Sequence, residues 1–154
     1  MVDAVYLKKS LGSIFEEVEL VGSGDERTVS ATKDNKKIFL IEAKNSNLLK
    51  LFPADLVINI ASFQEMNPPV IKDYLDQMQD SVTKGRSLIF YHANRLEKQL
   101  PDGTISRVSD YPISKDSDFM VDELCPRHQD YYSFRLPFFL KYDGPHIHQL
   151  IKIA

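Results

Sequence analysis

Cysteine is almost missing from this sequence: Cys125 stands alone among 154 residues. That excludes an internal disulfide framework and a zinc site built from several cysteines. No run of 18 apolar residues occurs, so no segment reads as a membrane span. The opening MVDAVYLKKSLG has no apolar stretch of signal-peptide length. Charge of one sign is not in excess: 19 Lys and Arg stand against 22 Asp and Glu, for a formal net charge of −3. A duplex-binding protein that relies on phosphate contacts shows a basic face, which this balance does not suggest. Eight prolines and six glycines are too few for a collagen-like or low-complexity chain. What is present is 43% hydrophobic and 27% charged, the composition of a globular domain with one buried core. The expectation is a cytoplasmic single domain over 1–154 that binds neither nucleic acid nor membrane.

The apolar pattern then divides the chain. Val5, Leu7, Leu11, Ile14, Phe15 and Val18 recur at helical spacing, so Val2–Val18 reads as a helix. Gly22-Ser23-Gly24-Asp25 opens a polar stretch that reads as loop. The runs KIFLIEA (37–43) and DLVINIA (55–61) have no helical period and read as buried strands. Residues 69–83 carry Val70, Ile71, Tyr74, Leu75, Met78 and Val82 three and four apart. Pro68 and Pro69 suit the start of that helix and Gly85 its end. SLIFYH (87–92) is a further strand, and a long polar stretch from Arg95 to Asp130 reads as a loop or lid. YYSFRLPFFL (131–140) and HIHQLIKI (146–153) read as an antiparallel hairpin at a sheet edge, where Pro137 is tolerated. Strand, helix and strand between Asp55 and His92 imply a parallel pair. Ligands of such sheets sit beyond the carboxyl ends of the strands, which here carry residues 62–67 and 92–95.

The run Asp55-Leu-Val-Ile-Asn-Ile-Ala-Ser-Phe-Gln-Glu-Met66 resembles the fourth-strand motif of class I S-adenosylmethionine-dependent methyltransferases. More narrowly, it resembles a bacterial family of sugar O-methyltransferases. That family continues with a helix containing a tyrosine, a strand ending in asparagine and a terminal antiparallel pair. The matching features here are Tyr74, Phe90-Tyr91-His92-Ala93-Asn94 and the 131–153 hairpin. The resemblance runs from about Lys37 to Ala154, and more weakly over Tyr6–Lys9. The Ser-Phe-Gln-Glu-Met string is its specific part. The resemblance implies an α/β fold: a partial Rossmann-like methyltransferase sheet, mostly parallel, with a C-terminal antiparallel hairpin. It implies transfer of a methyl group from S-adenosylmethionine to the hydroxyl of a sugar or nucleotide-sugar acceptor.

The family's sheet begins with a strand, a glycine-rich loop and a helix, followed by a strand ending in an acidic residue. Tyr6-Leu7-Lys8-Lys9 looks like the helix after that second strand, so the chain reads as the C-terminal portion of the enzyme without its cofactor-binding start. It would then be inactive alone unless a homo-oligomer or a completing partner chain supplies the rest. A second alignment stays open. Val18-Glu-Leu-Val-Gly-Ser-Gly-Asp25 would be the first strand and glycine loop, with Glu42 as the ribose acid. Against it, Glu26 stands where a third glycine is expected, and 26–36 is short and polar. The alternative to an enzyme is a non-catalytic, degenerate α/β domain that binds a glycan or a partner protein.

Methyl transfer to a hydroxyl needs aligned reactants and a group that accepts a proton. Glu65 and His92 follow or close the two central strands, and either can serve as base; His92 has an ordinary pKa near working pH. Glu65 also reads as a carboxylate satisfied at a helix start. By resemblance, Ser62, Phe63 and Gln64 line the cofactor, although Phe63 equally reads as core. Gln64, Asn67 and Asn94 can donate and accept at once, which suits sugar hydroxyls, and Arg95 can clamp a phosphate or carboxylate. Asn67 also reads as a helix cap. Cys125-Pro126-Arg127-His128 holds a Cys–His pair without a third partner at fixed spacing. His146 and His148 share a strand face near Asp143, and both sets read as ordinary surface or core groups rather than a metal site.

Overall fold

The computed structural model describes residues 5, 9–10, 17–21, 37–41, 43–51, 54–82, 87–128, 130–132, 134–136, 138–141 and 144–153. The sequence reads as one domain, whereas the chain forms two compact units, Met1–Pro53 and Ala54–Ala154. Among the described residues no helix is long and apolar enough to cross a membrane.

The N-terminal unit holds β1 (Glu17–Val21) and β2 (Lys37–Ile41), paired parallel from Glu17↔Lys37 to Val21↔Ile41. A 3-10 run, Ala43–Leu51, follows and breaks at Asn45. Val5, Lys9 and Ser10 are helical, as expected, but the expected helix does not reach Val18. Glu17-Val18-Glu19-Leu20 alternates polar and apolar, and a period of two is satisfied by a ladder, not by a helix face. Because the pair is parallel, both strands end on the same side. Gly22–Asp25 and Glu42, next in sequence after those ends, lie outside the described residues.

The C-terminal unit is mixed α/β. Its elements are β3 (Leu56–Ile60), α1 (Pro68–Ser81), β4 (Leu88–Arg95), β5 (Glu97–Gln99), β6 (Ile105–Arg107), β7 (Asp118–Leu124), β8 (Asp130–Tyr132), β9 (Phe139–Lys141) and β10 (His146–Ile153). Four of them form one sheet in the order β3-β4-β10-β7. β3 and β4 are parallel, from Leu56↔Ile89 to Ile60↔Ala93. β10 is antiparallel to both its neighbours, so β3, β4 and β7 run one way and β10 runs the other.

Asn67 turns the chain into α1, its carbonyl accepting from Val70 and Ile71, while Pro68 and Pro69 occupy positions whose N–H groups would be unpaired. Ile71, Leu75 and Met78 form the buried stripe, which packs with Phe63, Leu88, Phe90, Ile151 and Ile153. Each such side chain contributes about 1.5–3 kcal/mol through burial. The helix stops at Val82; Gly85 lies outside the described residues.

Three expectations are corrected. The sheet is not mostly parallel with an edge hairpin of 131–140 and 146–153. β8 pairs with β9 instead, and β10 lies between β4 and β7. Ile147, Leu150, Ile151 and Ile153 put apolar groups on both faces of β10, which suits a central strand better than an edge. The stretch 95–130 is not one loop: it contains the β5–β6 hairpin, a 3-10 turn at Val108–Asp110 and strand β7. Finally, β3 is not buried on both faces. It is a sheet edge with Leu56, Ile58 and Ile60 each more than half exposed, while Val57 packs on the core.

Directly after β3, Ala61 has φ +57°, in the left-handed region where a Cβ is crowded. Its N–H still reaches Ala93 at 2.8 Å, so the ladder with β4 holds it there. A β-branched residue tolerates this conformation least. Ala61→Val is expected to lower stability by about 1–2 kcal/mol, whereas Ala61→Gly should be neutral or stabilising. Thermal melting of both variants checks this, and equal effects would remove the strain argument.

Candidate functional site

The carboxyl ends of β3 and β4 are joined by side-chain amides. Asn59, midway along an apolar strand, accepts from the Phe63 N–H at 3.2 Å and donates Nδ2 to Ser62 Oγ at 2.5 Å. From β4, Asn94 donates Nδ2 to Asn59 Oδ1 at 3.1 Å and accepts from the Gln64 N–H at 3.3 Å. Gln64 Oε1 accepts from the Arg95 N–H at 2.8 Å. These bonds fold residues 62–66 into a single 3-10 turn, closed by Glu65 N–H to Ser62 O and Met66 N–H to Phe63 O, both 3.0 Å. Asn94 is fully buried and Gln64 nearly so. Buried amides with every partner made rigidify a segment.

The same face carries a polar rung across all four strands. His92 lies opposite Asn59 on one side and Gln149 on the other, and Gln149 lies opposite Asp122. Gln149 donates Nε2 to Asp122 Oδ1 at 2.8 Å, and its Oε1 faces His92 Nε2 at 2.7 Å. That acceptor assigns the proton to Nε2, which leaves Nδ1 to accept from Asn94 Nδ2 at 3.4 Å. The imidazole has no exposed surface and packs against Phe90 and Tyr111 at ring separations of 5.2 and 5.6 Å. Burial pushes its pKa down to about 4, against the opposing pull of Gln149 and Asp122.

This has a sign. Above pH 6.5 His92 is neutral whether the chain is folded or not. Below it, the unfolded chain takes up a proton that the folded unit refuses until about pH 4. Stability is therefore present above pH 6.5 and lost as the pH falls toward 4, by about 3 kcal/mol across that window. The folded pKa of His146 is also lowered, so the difference between wild type and His92→Gln isolates the rung. Urea titrations at several pH values should show a shallower slope in the variant between pH 6.5 and 4, and identical slopes would exclude the assignment.

Glu65 ends the turn. Its Oε1 accepts from Lys98 Nζ of β5 and from Gln64 Nε2 at 3.3 Å. The Lys98 ammonium holds the carboxyl below its ordinary pKa, with help from Gln64 and the charge of Arg95. Glu65 is exposed, and beside it lies an open cleft of about 440 Å³ lined by Glu65, Lys98, Gln99, Leu100, Pro101 and Gly103.

The structure thus brings together Ser62, Phe63, Gln64, Glu65, Asn94 and the backbone of Arg95. Phe63 is core, its ring between Tyr74, Phe90 and Tyr111. Asn67 is exposed at the helix start, and its side chain makes no capping bond. Cys125 is buried, with Sγ 3.0 Å from His128 Nδ1, and His128 stacks on His146 at 5.2 Å. His148 sits between Tyr91 and Glu123, and Asp143 lies outside the described residues. Among the described residues no group of three His, Cys, Asp or Glu is placed to hold a metal ion.

Sequence reasoning missed Asn59, Lys98, Asp122 and Gln149. A lone asparagine inside LVINI was a readable signal, because a polar group in an apolar run must find a partner. Lys98, Asp122 and Gln149 carried none. No protein-family model matches the chain, and no curated protein does.

Proposed function

We propose that the chain serves methyl transfer from S-adenosylmethionine to a sugar hydroxyl, with the turn at 62–66 on the acceptor side. The observation that carries this is the clamp of Asn59, Asn94 and Gln64 on that turn, at the carboxyl end of the parallel β3–β4 pair. It is there that open α/β sheets take ligands. The clamped segment is the Ser-Phe-Gln-Glu-Met string on which the resemblance rests. Glu65 orients the acceptor oxygen by accepting its hydrogen bond and would take up the hydroxyl proton as that oxygen gains the methyl group. Lys98 stabilises the ionised carboxylate and so limits its basicity. His92, with both ring nitrogens engaged inside the core, is a positioning residue for Asn94.

Of the three side chains that the resemblance gives to the cofactor, Ser62 is half-buried, Phe63 is core and Gln64 is engaged at both ends of its amide. Phe63 and Gln64 therefore do not fit as cofactor-lining side chains. In the N-terminal unit, the parallel β1–β2 pair supports the alignment that places Gly22-Ser23-Gly24 after one strand and Glu42 after the other.

Calorimetric titration of the purified chain with S-adenosylhomocysteine tests the proposal. Saturable one-to-one binding that Glu42→Ala abolishes is the expected result. Glu65→Gln should leave that binding intact and lower methyl transfer by about 100-fold. A folded chain that binds nothing overturns the reading. It would leave the non-catalytic domain, which the exposed apolar edge of Leu56, Ile58 and Ile60 favours.

A further inference from the structure

The β5–β6 hairpin is built as a stiff wall. Its ladder pairs Glu97↔Arg107, Lys98↔Ser106 and Gln99↔Ile105, and Arg107 Nε donates to Glu97 at 2.7 Å. Leu100 N–H reaches Thr104 O at 2.7 Å, and Gly103 N–H reaches Leu100 O at 2.9 Å. Asp102 accepts from Thr104 N–H at 2.9 Å, and Gly103 takes φ +88° to close the turn. This wall faces Glu65 across the open cleft of about 440 Å³, within the range of about 300–1,000 Å³ typical of small-molecule sites.

The polar groups at the cleft have complementary vacancies. Both hydrogen bonds to Glu65 fall on Oε1, so Oε2 has no partner among the described residues. Lys98 has three N–H donors, and the one bond described uses one of them. The side-chain amide of exposed Gln99, a donor and an acceptor, has no partner among the described residues. Leu100 and Pro101 add an apolar wall. The carboxylate and the ammonium neutralise one another, so the cleft carries no net charge from this pair.

We infer that this cleft binds a neutral, hydroxyl-rich ring, a monosaccharide unit, with Glu65 Oε2 accepting from one hydroxyl and Lys98 and Gln99 donating to its neighbours. The inference rests on the sugar-acceptor reading above and names its substrate class as uncharged. The Lys98 ammonium is already paired with Glu65, so the anion of a phosphorylated or carboxylated sugar would have to compete with that carboxylate for it. Alternating acceptor and donors match vicinal hydroxyls, each of which gives one hydrogen bond and takes another.

Amide NMR shifts of the full chain, titrated with methyl β-D-galactopyranoside and methyl α-D-mannopyranoside, test it. D-glucuronate and D-glucose 6-phosphate serve as charged comparators. Saturable shifts at Glu65, at residues 98–100 and at residues 102–103 are expected with a neutral glycoside, and weaker ones with both anions. Gln99→Ala and Lys98→Met should each weaken binding by about tenfold. Gln99 is exposed, so its variant keeps the test open if Lys98→Met fails to fold. No shifts at these amides, equal binding of the anions, or unaltered binding by a folded variant would overturn the inference. Homocysteine-product binding without glycoside shifts would overturn the cleft alone; glycoside shifts without product binding would overturn methyl transfer alone.

Discussion

Phe63→Ala is expected to lower the stability of the C-terminal unit by about 4 kcal/mol. The residue is 4% exposed, and its ring meets Tyr74 at 6.1 Å, Phe90 at 6.2 Å and Tyr111 edge-on at 5.9 Å. Truncation removes the buried area and leaves a void that three aromatic neighbours cannot collapse into. Against a typical total of about 5–15 kcal/mol, that loss is severe. Phe63→Leu keeps most of the volume and should cost about 1 kcal/mol. Urea unfolding of both variants, read by near-ultraviolet circular dichroism, separates the two roles open to Phe63. If its main part were to line a cofactor, Phe63→Ala would spare stability and weaken S-adenosylhomocysteine binding instead.

Asn94→Ala should be comparably damaging, by about 4 kcal/mol. The side chain is wholly buried, and its loss strands the Gln64 N–H, a group whose unsatisfied burial costs about 1–3 kcal/mol, and leaves Asn59 Oδ1 with the Phe63 N–H as its remaining donor. It also withdraws the donor to His92 Nδ1. The damage should be directional. Amide exchange should accelerate most at Phe63 and Gln64, whose N–H groups are held by Asn59 and Asn94, and less at Ile71 and Leu75 of α1. A variant that lost under 1 kcal/mol and kept those amides protected would show that the turn holds its shape without the clamp.

Parts of this arrangement were legible in the chain. The strand expected at 55–61 occupies Leu56–Ile60, the helix expected at 69–83 occupies Pro68–Ser81, and the strand expected at 87–92 begins at Leu88. Each is specified by its own residues: β-branched runs, a 3.6-residue stripe, a proline pair. The parallel pairing of β3 with β4 followed from the helix between them. The gathering of Ser62–Glu65 with Asn94 followed in turn, because both follow from the ends of those strands. Beyond Arg95 that logic fails. Lys98, three residues past the end of β4, comes back beside Glu65 only because the β5–β6 hairpin folds there.

By itself, the sequence determined which segments are strands and helix in the 55–95 region, which stripe of α1 is buried, and which end of the parallel pair carries polar residues. These are local properties, set by side-chain period and backbone preference over a handful of neighbours. Only the tertiary structure decided that β10 inserts between β4 and β7, because strand-pairing partners are chosen by competition among distant segments. That choice aligned Asn59, His92, Gln149 and Asp122 on one face, burying His92 and lowering its pKa. The same competition set Glu65 beside Lys98 at the cleft. An ion pair, a buried imidazole and a clamped turn are properties of where chains cross, and no single stretch of sequence contains a crossing.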